Sequence, residues 1–271
     1  GDTFNTAWYI ANNHSDIKSA YFSKLGDDEL SDKMLKFMSD NRVDTTHVKK
    51  VSGSTIGLYL ISLVNGERTF SYWRNNSAAT LLGQNINDVE HAVKKQDMIY
   101  FSGITLAILD PSSRNNLFSC LKSARRAGKK IAFDPNLRPK LWSDKKEMCD
   151  VIMAGANLSD IILPSFEDEA TWFSDANPKA TLKRYQKVGA EIVVVKNAGE
   201  PVSFFSNQGI GTHPVQSIET VVDSTAAGDS FNSEILVGIL RNIPISEAIS
   251  NGANLAKKVI MGHGALIKSD I

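Results

Sequence analysis

The run "MIYFSGITLAILDPSSRNNLFSCLKSARRAGKKIAFD", Met98 to Asp134, decides the fold. It opens with a short apolar strand, "MIYFSG", and ends with another, "KKIAFD". Between them "PSSRNNLFSCLKSARRAG" reads as a helix, with Pro111 near its start and Gly128 at its end. Proline is tolerated in a first turn, and glycine reaches the left-handed dihedrals that close a helix. Strand, helix, strand is a crossover unit, and a crossover joins parallel strands. The rhythm continues with helix "KEMCDVIMAGA", strand "DIILP", short helix "FEDEATWF", helix "PKATLKRYQKVGA" and strand "EIVVVK". Such alternation predicts an α/β fold, a three-layer α/β/α sandwich around a mostly parallel central sheet.

Upstream, Phe4, Ala7, Trp8 and Ala11 recur at helical spacing over residues 2–12, with Asp2 or Thr3 available as a cap. "AYFSKLG" reads as a buried strand ending in Gly26, and "DDELSDKMLKFMSDN" as an amphipathic helix with Leu30, Met34, Leu35 and Met38 on one face. "STIGLYLISLVNGERTFSYWR" differs from the rest: two β-rich runs meet at Asn65-Gly66, a strong signal for a type I′ hairpin turn. The reading is therefore one domain over residues 1–271, with a β-hairpin lid inserted over residues 46–75. The opening "GDTFNTAWYIANN" reads as mid-fold, which leads us to expect an N-terminal strand before Gly1.

Composition removes several function classes. Thirty basic and 30 acidic residues among 271 give zero net charge, which argues against a chain-wide grip on nucleic acid. No apolar run approaches the roughly 18 residues of a membrane span, and no signal-like start is present. Cys120 and Cys149 form no CxxC pair, which fits a reducing cytoplasm. His14, His47, His91, His213 and His263 show no ligand spacing. A P-loop is absent, and after Gly209-Ile210-Gly211 a dinucleotide fingerprint fails at Pro214. Asp134 and Asp160, at strand ends, read as turn carboxylates without a catalytic part.

The chemistry concentrates in "VVDSTAAGDSFN", Val221 to Asn232. Phe231, Ile235, Leu236, Ile239 and Leu240 form one stripe, so a helix begins close to Ala227. The first amides of a helix have no partner within it, and its dipole favours an anion there. Bare side chains at Ala226, Ala227 and Gly228 leave those amides open. Asp229, in the first turn, is placed to take a proton from an attacking hydroxyl. A plainer reading stays open beside this one: Asp223 caps the helix and the small residues only pack.

At these residues the chain resembles the PfkB, or ribokinase-like, carbohydrate kinases. "DSTAAGD", Asp223 to Asp229, stands for the family signature D-T-x-G-A-G-D, with Ser224 and Ala226 as departures, and "GDTFNTA" is similar to the first signature. "GERTFSYWRNNSAA", "FSGITLAIL" and "VVDSTAAGDSF" resemble most the branch acting on 2-keto-3-deoxygluconate, whereas "DPNLRPKLW" is shared with fructokinase-like members. The resemblance implies ATP, Mg²⁺ and transfer of the γ-phosphate to a sugar hydroxyl, with Asp229 as base and the amides of Ala226, Ala227 and Gly228 as anion hole. It places Asp2 and Asn5 at the sugar hydroxyls. It puts Lys196, Gly199 and Asn254 at the nucleotide, and Ser165 and Asp168 in the stretch that organises phosphates and metal. A sugar acid needs a cation, and arginine pairs bidentately with carboxylate. Arg74 and Arg138 are the candidates, with Tyr59 and Tyr72 presenting hydroxyls from the hairpin. A neutral-sugar kinase and a non-catalytic sugar-acid binder are the alternatives. The hairpin's exposed edges, and the lids of family members, lead us to expect a homo-oligomer.

Overall fold

The computed structural model describes residues 1–64, 67–74, 76–216 and 221–268, with side chains of 60–64 and 67–72 left out. Helix α1 is Asp2–Asn13, β1 is Ser23–Leu25, α2 is Glu29–Asp40 and β2 is Val48–Lys50. The hairpin strands follow, β3 Leu58–Val64 and β4 Glu67–Trp73, then α3 Ile86–Lys94. The regular part comprises β5 Met98–Ser102, α4 Gly103–Ile108, α5 Pro111–Arg126, β6 Lys130–Asp134 and α6 Lys145–Asn157. It continues with β7 Ile161–Ile162, α7 Phe166–Phe173, α8 Pro178–Lys187 and β8 Ile192–Val195. Strands β9 Val202–Ser206 and β10 Gly209–His213 and helices α9 Ala227–Leu240 and α10 Ile245–Ile260 complete it.

The central sheet has the order β10-β9-β8-β7-β6-β5. Strands β5 to β8 pair in parallel, and β9 and β10 join antiparallel. Successive residues of each strand serve opposite faces, as a pleat requires. Ile131, Phe133, Ile162, Val193 and Val195 pack with Leu117, Leu121, Met148, Ile152 and Tyr185 of α5, α6 and α8. Ala132, Ile161, Leu163 and Val194 face the other way, onto Phe231, Ile235, Leu236 and Ile249 of α9 and α10. Three layers follow from this alternation. A third cluster seats α1 through Phe4, Trp8 and Tyr9 against Met38, Leu255 and Val259. Trp8 is 2% exposed, so truncating it to alanine costs about 3–5 kcal/mol.

Several sequence expectations change. Neither Asp2 nor Thr3 caps α1: Gly1 is the cap position without a side-chain bond, because Asp2 and Thr3 are engaged elsewhere. The strand expected over "AYFSKLG" shortens to β1, which pairs in parallel with β2 in a separate small sheet. Leu30 is exposed, whereas Met38 on the same helix is buried. "FSGITLAIL" turns from strand to helix at Gly103, where Ser102 and Thr105 form a capping box. A Cβ on Gly103 would lie 1.8 Å from the carbonyl oxygen of Pro135, so only glycine lets that turn come so close.

The hairpin is present, with Tyr59 opposite Tyr72 and Val64 opposite Glu67. Its Asn65-Gly66 turn lies outside the described residues, as does the Tyr72 side chain.

Candidate active site

Helix α9 begins as its sequence demands. Ala226 occupies the cap position with φ 63°, and no side chain caps the helix, so Asp223 does not play that part. Asp223 instead accepts from the amides of Thr225 at 2.9 Å and Gly264 at 3.1 Å. The two carboxylates of "DSTAAGD" thus divide: Asp223 ties the turn to the segment beyond α10, and Asp229 faces the site. Among the described residues, no acceptor stands against the amides of Ala226, Gly228 or Asp229. The Ala227 amide is engaged by Ser224 O at 3.3 Å, so it is the least available of the three expected donors. A Cβ at Gly228 would meet only Lys196 carbons, at 3.8 and 4.0 Å, so that position is open.

Asp229 Oδ2 accepts from the side-chain amide of Asn5 at 2.7 Å, and Thr6 Oγ1 donates to Asp229 O at 3.0 Å. Helix α1 is thereby fixed against α9. Burial raises the Asp229 carboxyl to about 7, and the nearby charges of Asp2 and Asp134 add to the rise, while the Asn5 bond opposes it. Some of Asp229 still reaches solvent, which a substrate needs. A carboxyl poised near neutrality is suited to general-base work.

Asp134 is a turn carboxylate as read, and it also anchors a hydrogen-bond network behind the site. Its Oδ1 accepts from Asn136 N at 3.2 Å, and its Oδ2 from Asn232 Nδ2 at 2.7 Å and Lys196 Nζ at 3.3 Å. Asn232 also donates to Tyr100 OH at 3.1 Å and accepts from Lys196 at 2.9 Å. Lys196 donates further to the Leu163 carbonyl. All three of its protons therefore have acceptors within the protein. Its methylenes underlie Gly228. Asp160 is a structural carboxylate as expected, holding Arg125 at 2.7 Å and the Ile131 amide at 2.8 Å.

Ser165 bridges to Lys196 in parallel register, and the Phe166 amide donates to Lys196 O at 2.8 Å, so α7 starts beside the site. Burial raises the Asp168 carboxyl and the Arg138 guanidinium opposes this, which puts Arg138 and Asp168 within electrostatic reach. Arg138 is exposed and left-handed at φ 47°, two residues after Asn136 at φ 31°. Two such residues in one short turn mark stored strain, which concentrates at functional sites. Among the described residues, no group of three or more His, Cys, Asp or Glu stands ready to hold a metal.

Arg74 is half-buried after β4, and Tyr59 is 44% exposed on β3. Gly199 and Asn254 are exposed, and among the described residues no hydrogen bond joins either to the Asp229 network. Thr6, Asn136 and Asn232 were missed in the sequence. Asn232 had a readable signal, since it lies one turn after Asp229 on the same face of α9. Asn136 had only its place inside "DPNLR".

The sequence pattern of the pfkB family of carbohydrate kinases matches residues 1–271. The chain belongs to this family. It is 38% identical over 275 residues to a 2-dehydro-3-deoxygluconokinase of Haemophilus influenzae, covering 98% of this chain and 87% of that relative. It is 34% identical over 275 residues to one of Escherichia coli, covering 98% and 89%. A crystal structure of Xylella fastidiosa fructokinase with bound ATP superposes with a TM-score of 0.84 at 22% identity, covering 98% of this chain and 85% of that one, which shows the shared fold. Within a carbohydrate kinase, open amides at the head of α9 beside a carboxylate titrating near 7 are the parts that phosphoryl transfer requires.

Proposed function

We propose that the protein transfers the γ-phosphate of ATP, with Mg²⁺, to the terminal hydroxyl of 2-keto-3-deoxy-D-gluconate, giving the 6-phospho sugar acid. The observation that carries this is Asp229 in the first turn of α9, next to the open amides of Ala226 and Gly228. The names of the two kinase relatives supply the substrate. Asp229 removes the hydroxyl proton as the oxygen attacks phosphorus. Those amides, with a lesser share from Ala227, stabilise charge on the migrating group. Asp2 and Asn5 hold the sugar, and Arg74 and Arg138 face its carboxylate. Tyr59 and Tyr72 offer hydroxyls from the hairpin. Ser165 and Asp168 organise phosphates and metal, with Gly199 and Asn254 toward the adenosine end. When bound, Mg²⁺ would neutralise phosphate charge, and Asp168 would help to hold it.

Exposed Leu58, Tyr59 and Trp73 on the hairpin support pairing with a second copy of the chain. No helix among the described residues is long and apolar enough to cross a membrane, and Cys120 and Cys149 are both free thiols. Both fit the cytoplasmic setting we assign.

The test is coupled ADP release over a panel of 3-deoxy-2-keto acids and neutral sugars, with Arg74→Gln alongside the parent. Turnover of the acids, and a rise of about tenfold or more in their KM in the variant, is the expected result. Turnover of fructose or ribose alone would replace this substrate with a neutral one.

A further inference from the structure

Asn136 touches two carboxylates that belong to different parts of the site. Its side-chain Nδ2 donates to Asp2 Oδ2 at 2.8 Å, and its backbone amide donates to Asp134 Oδ1 at 3.2 Å. Asp2 begins α1, and Asp134 ends β6. Asp134 in turn holds Asn232 of α9 and Lys196, whose methylenes lie under Gly228. A continuous hydrogen-bonded chain therefore runs from Asp2 through Asn136 and Asp134 to the floor of the open amides.

The residue type suits the place. Its φ of 31° is tolerated by asparagine better than by most side chains. An aspartate there would set a third negative charge against Asp2 and Asp134. An amide gives Asp2 a donor and keeps its own Oδ1 as an acceptor. Asn136 and Asp2 are both only partly buried, so a ligand reaches them.

We propose that Asn136 is a positioning residue for the sugar. By occupying Asp2 Oδ2 it fixes the carboxylate in one orientation and leaves Oδ1 to accept a sugar hydroxyl. The same turn presents Arg138, so Asn136 also sets the spacing between the hydroxyl-binding and carboxylate-binding groups. This rests on the kinase reading above, and it adds a residue that acts through Asp2.

The test is steady-state kinetics of Asn136→Gly, Asn136→Asp, Asp2→Ala and the double variant Asp2→Ala/Asn136→Gly, using whichever sugar the parent turns over. Glycine accepts the left-handed backbone, so Asn136→Gly guards against misfolding. The expected result is a sugar KM raised about ten- to a hundredfold in Asn136→Gly, with the ATP KM unchanged. Asn136→Asp should be worse still. In the Asp2→Ala background the glycine substitution should add little, because the residue acts through Asp2. Equal effects of Asn136→Gly with and without Asp2, or an unchanged sugar KM, overturn the proposal. A crystal structure of Asn136→Gly gives an arm independent of turnover. Asp2 should leave its present orientation, and an unmoved Asp2 also overturns the proposal. A parent that turns over no sugar defeats the kinase reading instead, and the crystallographic arm still decides the role of Asn136.

Discussion

Asn5 and Asp229, 224 residues apart in sequence, share a hydrogen bond of 2.7 Å from the Asn5 amide to Asp229 Oδ2. Among the described residues this is the only hydrogen bond to that carboxylate, so Oδ1 is left to receive a proton. Burial, Asp2 and Asp134 together raise the group to about 7, against about 3.9 for a free aspartate.

As the proposed base, Asp229 works only when ionised, so the acidic limb of kcat/KM should rise through pH about 7 and level off above it. Asp229→Asn should abolish this limb together with turnover, while sugar binding persists by calorimetry. It should also raise the melting temperature at pH 8. A carboxyl whose folded pKa is raised costs stability as pH climbs from about 3.9 through about 7, and the full cost is present above that. An amide removes that cost, on the order of a few kcal/mol at most. An unchanged melting temperature at pH 8 would contradict the assigned burial.

Gly228→Ala separates folding from function. The added methyl meets only Lys196 carbons at ordinary contact distance, and alanine favours a helix over glycine by about 0.5–1 kcal/mol. Thermal unfolding should be unchanged or slightly higher. Turnover should fall at least tenfold, because the methyl crowds an approaching phosphate. Full activity would show that the phosphate lies elsewhere.

The layers, the crossover units and the hairpin were legible because each rests on local periodicity: Ile131, Ala132 and Phe133 alternate faces as a pleat dictates. Asp229 was legible for a similar reason, since the start of α9 follows from one stripe of apolar residues. What failed depended on distant partners. Asp2 looks like a cap until Asn136 arrives from the end of β6, and nothing near Lys196 in the sequence shows that Asp134 and Asn232 surround its ammonium. Sequence spacing carries no trace of a hydrogen bond that joins residues 62 positions apart, as Lys196 and Asp134 are.

Away from the site, Glu169 is fully buried and bound to Arg184 and to the Tyr185 hydroxyl, and Arg184 also holds Asp175. Burial pushes Glu169 up to about 7 even with the guanidinium beside it. Arg184→Met should destabilise the fold by about 3–5 kcal/mol, because a buried carboxyl loses its partner. Without the guanidinium the folded pKa of Glu169 rises further. Stability of the variant should then keep falling with pH past 7, where this group's contribution in the parent levels off. Chemical denaturation at pH 6 and pH 8.5 checks this, and a difference that does not widen with pH would oppose it.

The neighbours of Asp229 make opposite predictions about the same titration. Asp2 raises the base through its negative charge, and Asn5 lowers it by donating a hydrogen bond to the ionised form. Asp2→Asn should therefore move the acidic limb of the pH–rate profile to lower pH. Asn5→Ala should move it to higher pH. On the proposed sugar site both variants would lose sugar contacts, so both should raise the sugar KM and lower the plateau rate, but only the direction of the limb tells the two effects apart. A purely structural disturbance at the α1–α9 contact would shift the limb the same way in both. Profiles of kcat/KM between pH 5 and 9 read the limb directly, and shifts of the same sign would show that these residues do not tune Asp229.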